Sequence, residues 1–169
     1  SKNQENHRLH SQLKVLVIDD EVNFTEEIEE FLQNQGYISF TANNVHKGRA
    51  ILKSYDIDLL ILDVSLKGVS GLDVLQEVKQ QYPKIEVIIV SAHGDMDTVI
   101  TALRNGAIDY LKKPFRHSDI QIAIQRTKRF LDLHRVIKDM EEKNSLISKD
   151  LRSRIKRDFV GESQKIKGI

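Results

Sequence analysis

The chain has 169 residues, 40% hydrophobic and 30% charged, with a formal net charge of +1. That size fits one domain plus an extension, and the balanced charge gives no global field to draw the chain onto nucleic acid or a membrane. There are no cysteines, so disulfides and thiolate metal sites are excluded and a reducing, cytoplasmic setting is expected; no apolar run approaches the roughly 20 residues of a membrane span.

Residues 1–12, SKNQENHRLHSQ, are polar throughout and are expected to be disordered rather than a secretory signal. Residues 13–19, LKVLVID, are apolar and β-branched, as a strand buried on both faces must be. NFTEEIEEFLQNQG then places Phe24, Ile28, Phe31 and Leu32 at helical spacing, with Gly36 as a stop. Residues 37–42 read as a strand and 45–55 as a short helix. DLLILDV (58–64) is a second fully apolar strand, LKGVSG is turn chemistry, and LDVLQEVKQQY is a helix ended by Pro83. IEVIIVSA (85–92) is another buried strand. DMDTVITALRNG is a helix opened by Asp95 or Asp97 and closed by Gly106, and AIDYLKK is the fifth strand, ended by Pro114. Strand then helix, five times, predicts a doubly wound α/β domain: a five-stranded parallel sheet with right-handed crossovers and helices on both faces.

From Ser118 onwards no strand signal appears, and a long charged helix is predicted to about Lys156. A 3-4 apolar spacing runs through Phe130, Leu133, Ile137, Met140, Asn144, Ile147 and Leu151. That is a heptad seam with one Asn at an a position, which favours two parallel strands in register. The competing reading is an amphipathic helix packed on its own domain.

The chemistry lies at the strand ends. Asp19 and Asp20 close the first strand, Asp63 closes the third, Ser91 lies at the end of the fourth, and Lys113 ends the fifth. In an open parallel sheet ligands collect at the carboxyl ends of the strands, so these groups should share a crevice. Three close carboxylates repel one another, and a divalent cation relieves this; oxygen-only ligands favour magnesium or manganese over zinc. Asp63 is then free to act as a nucleophile and Lys113 to hold an anion, the chemistry of an aspartyl phosphate. Alternatively, Asp19 and Asp20 form a helix N-cap cluster with Glu21, and the Ser91 hydroxyl is structural. Asp56, Asp58 and Asp73 read as ordinary solvent or capping acids. Lys112 should point to the opposite face from Lys113 by strand alternation, and the Lys113–Pro114 bond is a candidate for the cis form.

VLVIDDE, LLILDV, VSAHGD and DYLKKPF, in this order and spacing, resemble the receiver domain of two-component response regulators over about residues 13–130. The resemblance implies a flavodoxin-like, CheY-like fold with strand order 2-1-3-4-5. It implies Asp63 as phosphoacceptor and Mg2+ held by Asp20, Asp63 and the backbone carbonyl of Ser65, with Asp19 assisting through water. It further implies that Lys113 pairs with the phosphoryl group, that Ser91 and Tyr110 are the switch residues, and that a sensor histidine kinase is the partner. One departure stands out: Leu66 and Lys67 occupy the places where the family usually carries Met-Pro.

DFVGES (158–163) after the charged helix resembles the opening of the ATPase domain of NtrC-like, sigma-54-dependent transcription activators. The domains expected are therefore a receiver at 13–130, a coiled-coil linker at 131–157 forming a homodimer, and the start of a truncated ATPase domain at 158–169. No Gly-x-x-x-x-Gly-Lys-Ser/Thr phosphate loop occurs, so ATP hydrolysis and DNA binding are expected of domains absent from this chain. Two rival readings remain. One is a magnesium-dependent phosphohydrolase of haloacid-dehalogenase type, which needs Asp-x-Asp where this chain has Asp63-Val64-Ser65. The other is a pseudo-receiver that binds partners without phosphorylation.

Overall fold

The computed structural model describes the backbone of residues 13–167 and the side chains as far as residue 160; the segment 1–12, expected to be disordered, lies outside the described residues. Five strands alternate with five helices: β1 Lys14–Ile18, α1 Val22–Asn34, β2 Ile38–Ala42, α2 Val45–Ser54, β3 Leu59–Asp63, α3 Gly71–Gln81, β4 Glu86–Ser91, α4 Met96–Arg104, β5 Asp109–Lys112 and α5 His117–Lys167. The strands form one parallel sheet in the order β2-β1-β3-β4-β5. Successive strand residues face opposite sides. Val15 to Ile18, Leu59 to Asp63 and Val87 to Ser91 are buried without alternation, so both faces of these three strands are covered. The edge strands β2 and β5 are only half-buried.

The helix ends follow local chemistry. Asn44 caps α2 by accepting the Lys47 N–H at 2.8 Å, and Asp95, rather than Asp97, caps α4 by accepting from Thr98 N–H at 2.8 Å. Gly36 and Gly106 follow α1 and α4 with φ of 84° and 97°, left-handed backbone that glycine adopts without strain. Asp58 is more than a solvent acid. It binds the Lys14 N–H through its carboxylate and bridges Lys14 and Glu86 through its own backbone, tying the starts of β1, β3 and β4 together. The Lys113–Pro114 bond is cis.

Gly71 at the start of α3 sits directly on the chain that leaves β3. A Cβ there would lie 2.5 Å from the Asp63 carbonyl oxygen, and the Gly71 N–H donates to Val64 O at 3.0 Å. The loop that carries the residues after Asp63 is thus bounded by backbone at both ends.

The chain divides into two compact units, the first ending at Lys128 and the second beginning at Arg129. In the first, Ile120, Ala123, Ile124 and Thr127 of α5 are buried. In the second, α5 runs on to Lys167 with no change of secondary structure at 157 or 158. Phe130 stacks edge-on against His134 at 4.5 Å, and Asp150 pairs with Arg154 one turn on. Leu133, Ile137, Met140, Ile147 and Leu151 are exposed, and so are Ile155 and Phe159, two apolar positions beyond the end of the counted seam.

Candidate functional site

The register that pairs Ile18 with Leu62 sets Asp19 beside Asp63 at the ends of β1 and β3. β3 and β4 pair Asp63 with Val90, and β4 and β5 pair Ser91 with Lys112, which brings Ser91 and Lys113 to the same rim. Asp19 and Asp63 are buried, and Asp20 is half-buried. Carboxylate oxygens of all three lie within 4.8 Å of one another. Lys113, turned inward while Lys112 is exposed, places its Nζ 2.6 Å from Asp19 Oδ2 and 3.6 Å from Asp63 Oδ2. Glu21, at the surface, is 3.7 Å from the same ammonium.

Backbone donors hold each acid in place. Asp19 Oδ1 accepts from Glu21 N–H at 2.9 Å, Asp63 Oδ1 from Ser65 N–H at 2.9 Å, and Asp20 Oδ2 from Lys67 N–H at 3.2 Å. The capping alternative therefore captures only part of the arrangement. Asp19 does serve the backbone at the head of α1, but α1 has no side-chain cap of its own, and the other Asp19 oxygen belongs to Lys113.

Burial pushes the Asp19 carboxyl above its ordinary range, and the charge of Asp63 adds to this, against the opposing bonds from Lys113 and Glu21 N–H. Burial alone would lower Lys113, but its bond to Asp19 and the charges of Asp19, Asp63 and Glu21 outweigh it and raise the ammonium's pKa. The lysine is therefore charged throughout the neutral range. One ammonium faces three clustered carboxylates, which leaves a deficit of positive charge. The donor set is all oxygen, small and partly open, which suits a hard cation.

Ser91 is buried, and its hydroxyl both donates to His93 O and accepts from His93 N–H, each at 3.0 Å. Tyr110 is half-buried; its hydroxyl is fully enclosed, with no hydrogen-bond partner among the described residues. Ser65 reaches the cluster through its N–H. Leu66 is buried in the core, while Lys67 supplies an N–H that a proline there could not donate.

Sequence reasoning missed three contributors. Phe24, read only as a helix core residue, puts its ring 4.1 Å from Lys113 Nζ and meets Phe115 edge-on at 5.8 Å. Asn43 donates to Asp19 O at 3.2 Å and to Thr25 Oγ1 at 3.1 Å. It stands just past the end of β2, so the strand-end rule applied to every strand would have found it. The Lys67 contact uses the backbone and leaves no side-chain signal. An open groove of about 500 Å³ adjoins Lys113, lined by Glu21, Phe24, Phe115 and His117 among others.

The response regulator receiver domain family matches residues 15–125 of this chain. The chain belongs to that family. An NtrX-like response regulator of Rickettsia typhi is 36% identical over 135 residues, covering 79% of this chain and 28% of its own length. The DNA-binding transcriptional regulator NtrC of Salmonella typhimurium is 36% identical over 115 residues, covering 68% of this chain and 24% of its own. A crystal structure of NtrX from Brucella abortus superposes with a TM-score of 0.72 at 30% identity, over 76% of this chain and 30% of that one. This chain thus spans under a third of the length of these relatives, and its receiver is similar to those of NtrC and NtrX. The phosphohydrolase alternative finds no support: Ser65 stands where its second acid is required. No helix among the described residues is long and apolar enough to cross a membrane.

The receiver's ion pair yields a direct expectation. Lys113→Met should leave buried Asp19 without its cation and lower stability at neutral pH by about 3 kcal/mol. A carboxyl raised above its unfolded pKa favours folding in acid and loses that contribution as pH rises through the folded pKa. The deficit of the variant should therefore shrink as pH falls to where Asp19 protonates, above the usual aspartate range. Urea unfolding of both proteins at neutral and mildly acidic pH checks this; an equal deficit at both would refute it.

Proposed function

We propose that this receiver takes a phosphoryl group from a sensor histidine kinase onto Asp63 and passes the change to an output domain. The observation that carries this is the setting of Asp63: buried at the end of the central strand, one oxygen held by Ser65 N–H and the other 3.6 Å from Lys113 Nζ. In the transfer an Asp63 oxygen attacks phosphorus, the phosphorus–nitrogen bond of a phosphohistidine breaks, and the imidazole leaves with the electron pair. Lys113 balances the negative charge on the phosphoryl oxygens. Asp20, Asp63 and the Ser65 carbonyl would hold a magnesium ion, with Asp19 assisting through water. When bound, the ion neutralises charge shared by the carboxylates and the phosphoryl group. The chain's own chemistry is then its phosphorylation and dephosphorylation, and Ser91 and Tyr110 report the change to the surface. That surface includes the exposed Met96, Ile100 and Leu103 of α4.

The output is read from the relatives and the C-terminal sequence. NtrC of Salmonella is a DNA-binding transcriptional regulator, and NtrX of Brucella was crystallised in complex with ADP. With DFVGES at 158–163, these support a sigma-54-dependent ATPase as the domain controlled, in a cytoplasmic protein. DNA contact would belong to that larger protein and not to the residues described here. We place the linker in a parallel homodimer with its seam at Phe130, Leu133, Ile137, Met140, Asn144, Ile147 and Leu151, the two Asn144 facing across the two-fold axis. The exposure of these apolar residues supports it, and Ile155 and Phe159 give the seam material beyond Leu151.

Incubation with acetyl phosphate and magnesium, followed by intact mass measurement, should add one phosphoryl group to the native chain and none to Asp63→Asn. A stoichiometric adduct on Asp63→Asn would move the acceptor elsewhere, and no adduct on the native chain would favour a pseudo-receiver. For the linker, Ile137→Asp combined with Met140→Asp should turn the dimer into monomers in analytical ultracentrifugation; an unchanged dimer mass would place the interface outside the helix.

A further inference from the structure

Gly94 lies in the loop between β4 and α4, between His93, which Ser91 binds, and Asp95, the N-cap of α4. Its backbone is not left-handed: the positive-φ glycines are Gly36, Gly68 and Gly106 alone among the described residues. Backbone conformation therefore does not demand glycine here. Space does. A Cβ at position 94 would overlap the Tyr110 hydroxyl and lie 2.8 Å from Tyr110 Cζ and 3.3 Å from Cε1; its three nearest neighbours are all atoms of that one side chain. The same hydroxyl is enclosed and has no hydrogen-bond partner among the described residues. The tip lies against the bare backbone of residue 94.

The other end of the loop is tied to the phosphorylation site. Ser91 holds His93 through both its donor and its acceptor function, and His93 adjoins Gly94. A Ser91 hydroxyl that turns to a phosphoryl oxygen on Asp63 must give up at least the bond to His93 O, because a hydroxyl has one proton to donate. We propose that Gly94 is the positioning residue through which this release reaches Tyr110: the loop and the ring share one space, and a side chain at position 94 excludes Tyr110 from its present seat. The inference rests on the reading of Asp63 as the phosphoacceptor. It makes the absence of a side chain at 94, rather than a direct Ser91–Tyr110 contact, the condition for coupling.

The test uses Gly94→Ala in the 169-residue chain with ring-labelled tyrosine, followed by NMR before and after treatment with acetyl phosphate and magnesium. Intact mass is taken on the same samples. The native protein should gain one phosphoryl group and shift its Tyr110 ring signals. Gly94→Ala should gain the same mass, show Tyr110 displaced already without phosphodonor, and lose the further shift. Ring signals that match the native protein in both states would overturn the proposal. A native chain that gains no mass would instead sink the acceptor reading, which the mass measurement reports separately. Because the variant can also lose stability, thermal melts are taken in a Tyr110→Ala background. There Gly94→Ala should leave the melting temperature unchanged, since the three atoms nearest to the added methyl group all belong to Tyr110. A drop as large as the one Gly94→Ala causes when Tyr110 is present would show that something else excludes the methyl group, and would overturn the proposal as well.

Discussion

The structure depends on one electrostatic constraint: a parallel sheet delivers three carboxylates to a single rim and supplies one ammonium to meet them. A carboxylate leaves water only if it is paired or hydrogen-bonded. Asp19 satisfies this with Lys113 and Glu21 N–H, and Asp63 with Ser65 N–H and a more distant Lys113. Asp20 keeps some contact with solvent and takes an N–H from Lys67. Each acid is held, yet the cluster as a whole remains short of positive charge. The sheet is rigid enough to enforce this because β1, β3 and β4 are covered on both faces. The deficit is what makes the site receptive to a cation, and it keeps Lys113 protonated and inward.

The same arrangement explains why the strands were easy to read and several site contacts were not. A strand buried on both faces has no polar positions, so LKVLVID, DLLILDV and IEVIIVSA announce themselves, and the acids that end them mark the rim. Gly36 and Gly106 carry left-handed backbone, and their places as stops follow from that. Phe24, by contrast, has helical spacing and counts as core until the fold brings Lys113, distant in the chain, over its ring. Lys67 acts through an N–H that every residue but proline possesses. Gly94 looks like any loop glycine until Tyr110 is seen against it. Asp58 looks like a solvent acid until three strand starts meet at it. These contacts join distant segments, and no local pattern encodes them.

The C-terminal helix shows a different limit. Helical periodicity predicts its existence and its apolar row to about Lys156, whereas the helix runs on through Lys167. Exposed Ile155 and Phe159 extend the apolar row past Leu151 by steps of four rather than three and four, a spacing that locally relaxes the supercoil of a heptad seam.

The measurement that bears most directly on the central constraint is the thermal unfolding of the native chain and Asp20→Ala, each with a chelator and with excess magnesium. If the carboxylates are held under mutual repulsion, Asp20→Ala melts at or above the native protein without metal, because it loses a like charge from the cluster. Magnesium then raises the native midpoint, as any ligand of the folded state does, and leaves that of Asp20→Ala where it was. A variant that melts far below the native protein without metal, or that responds equally to magnesium, would contradict the account.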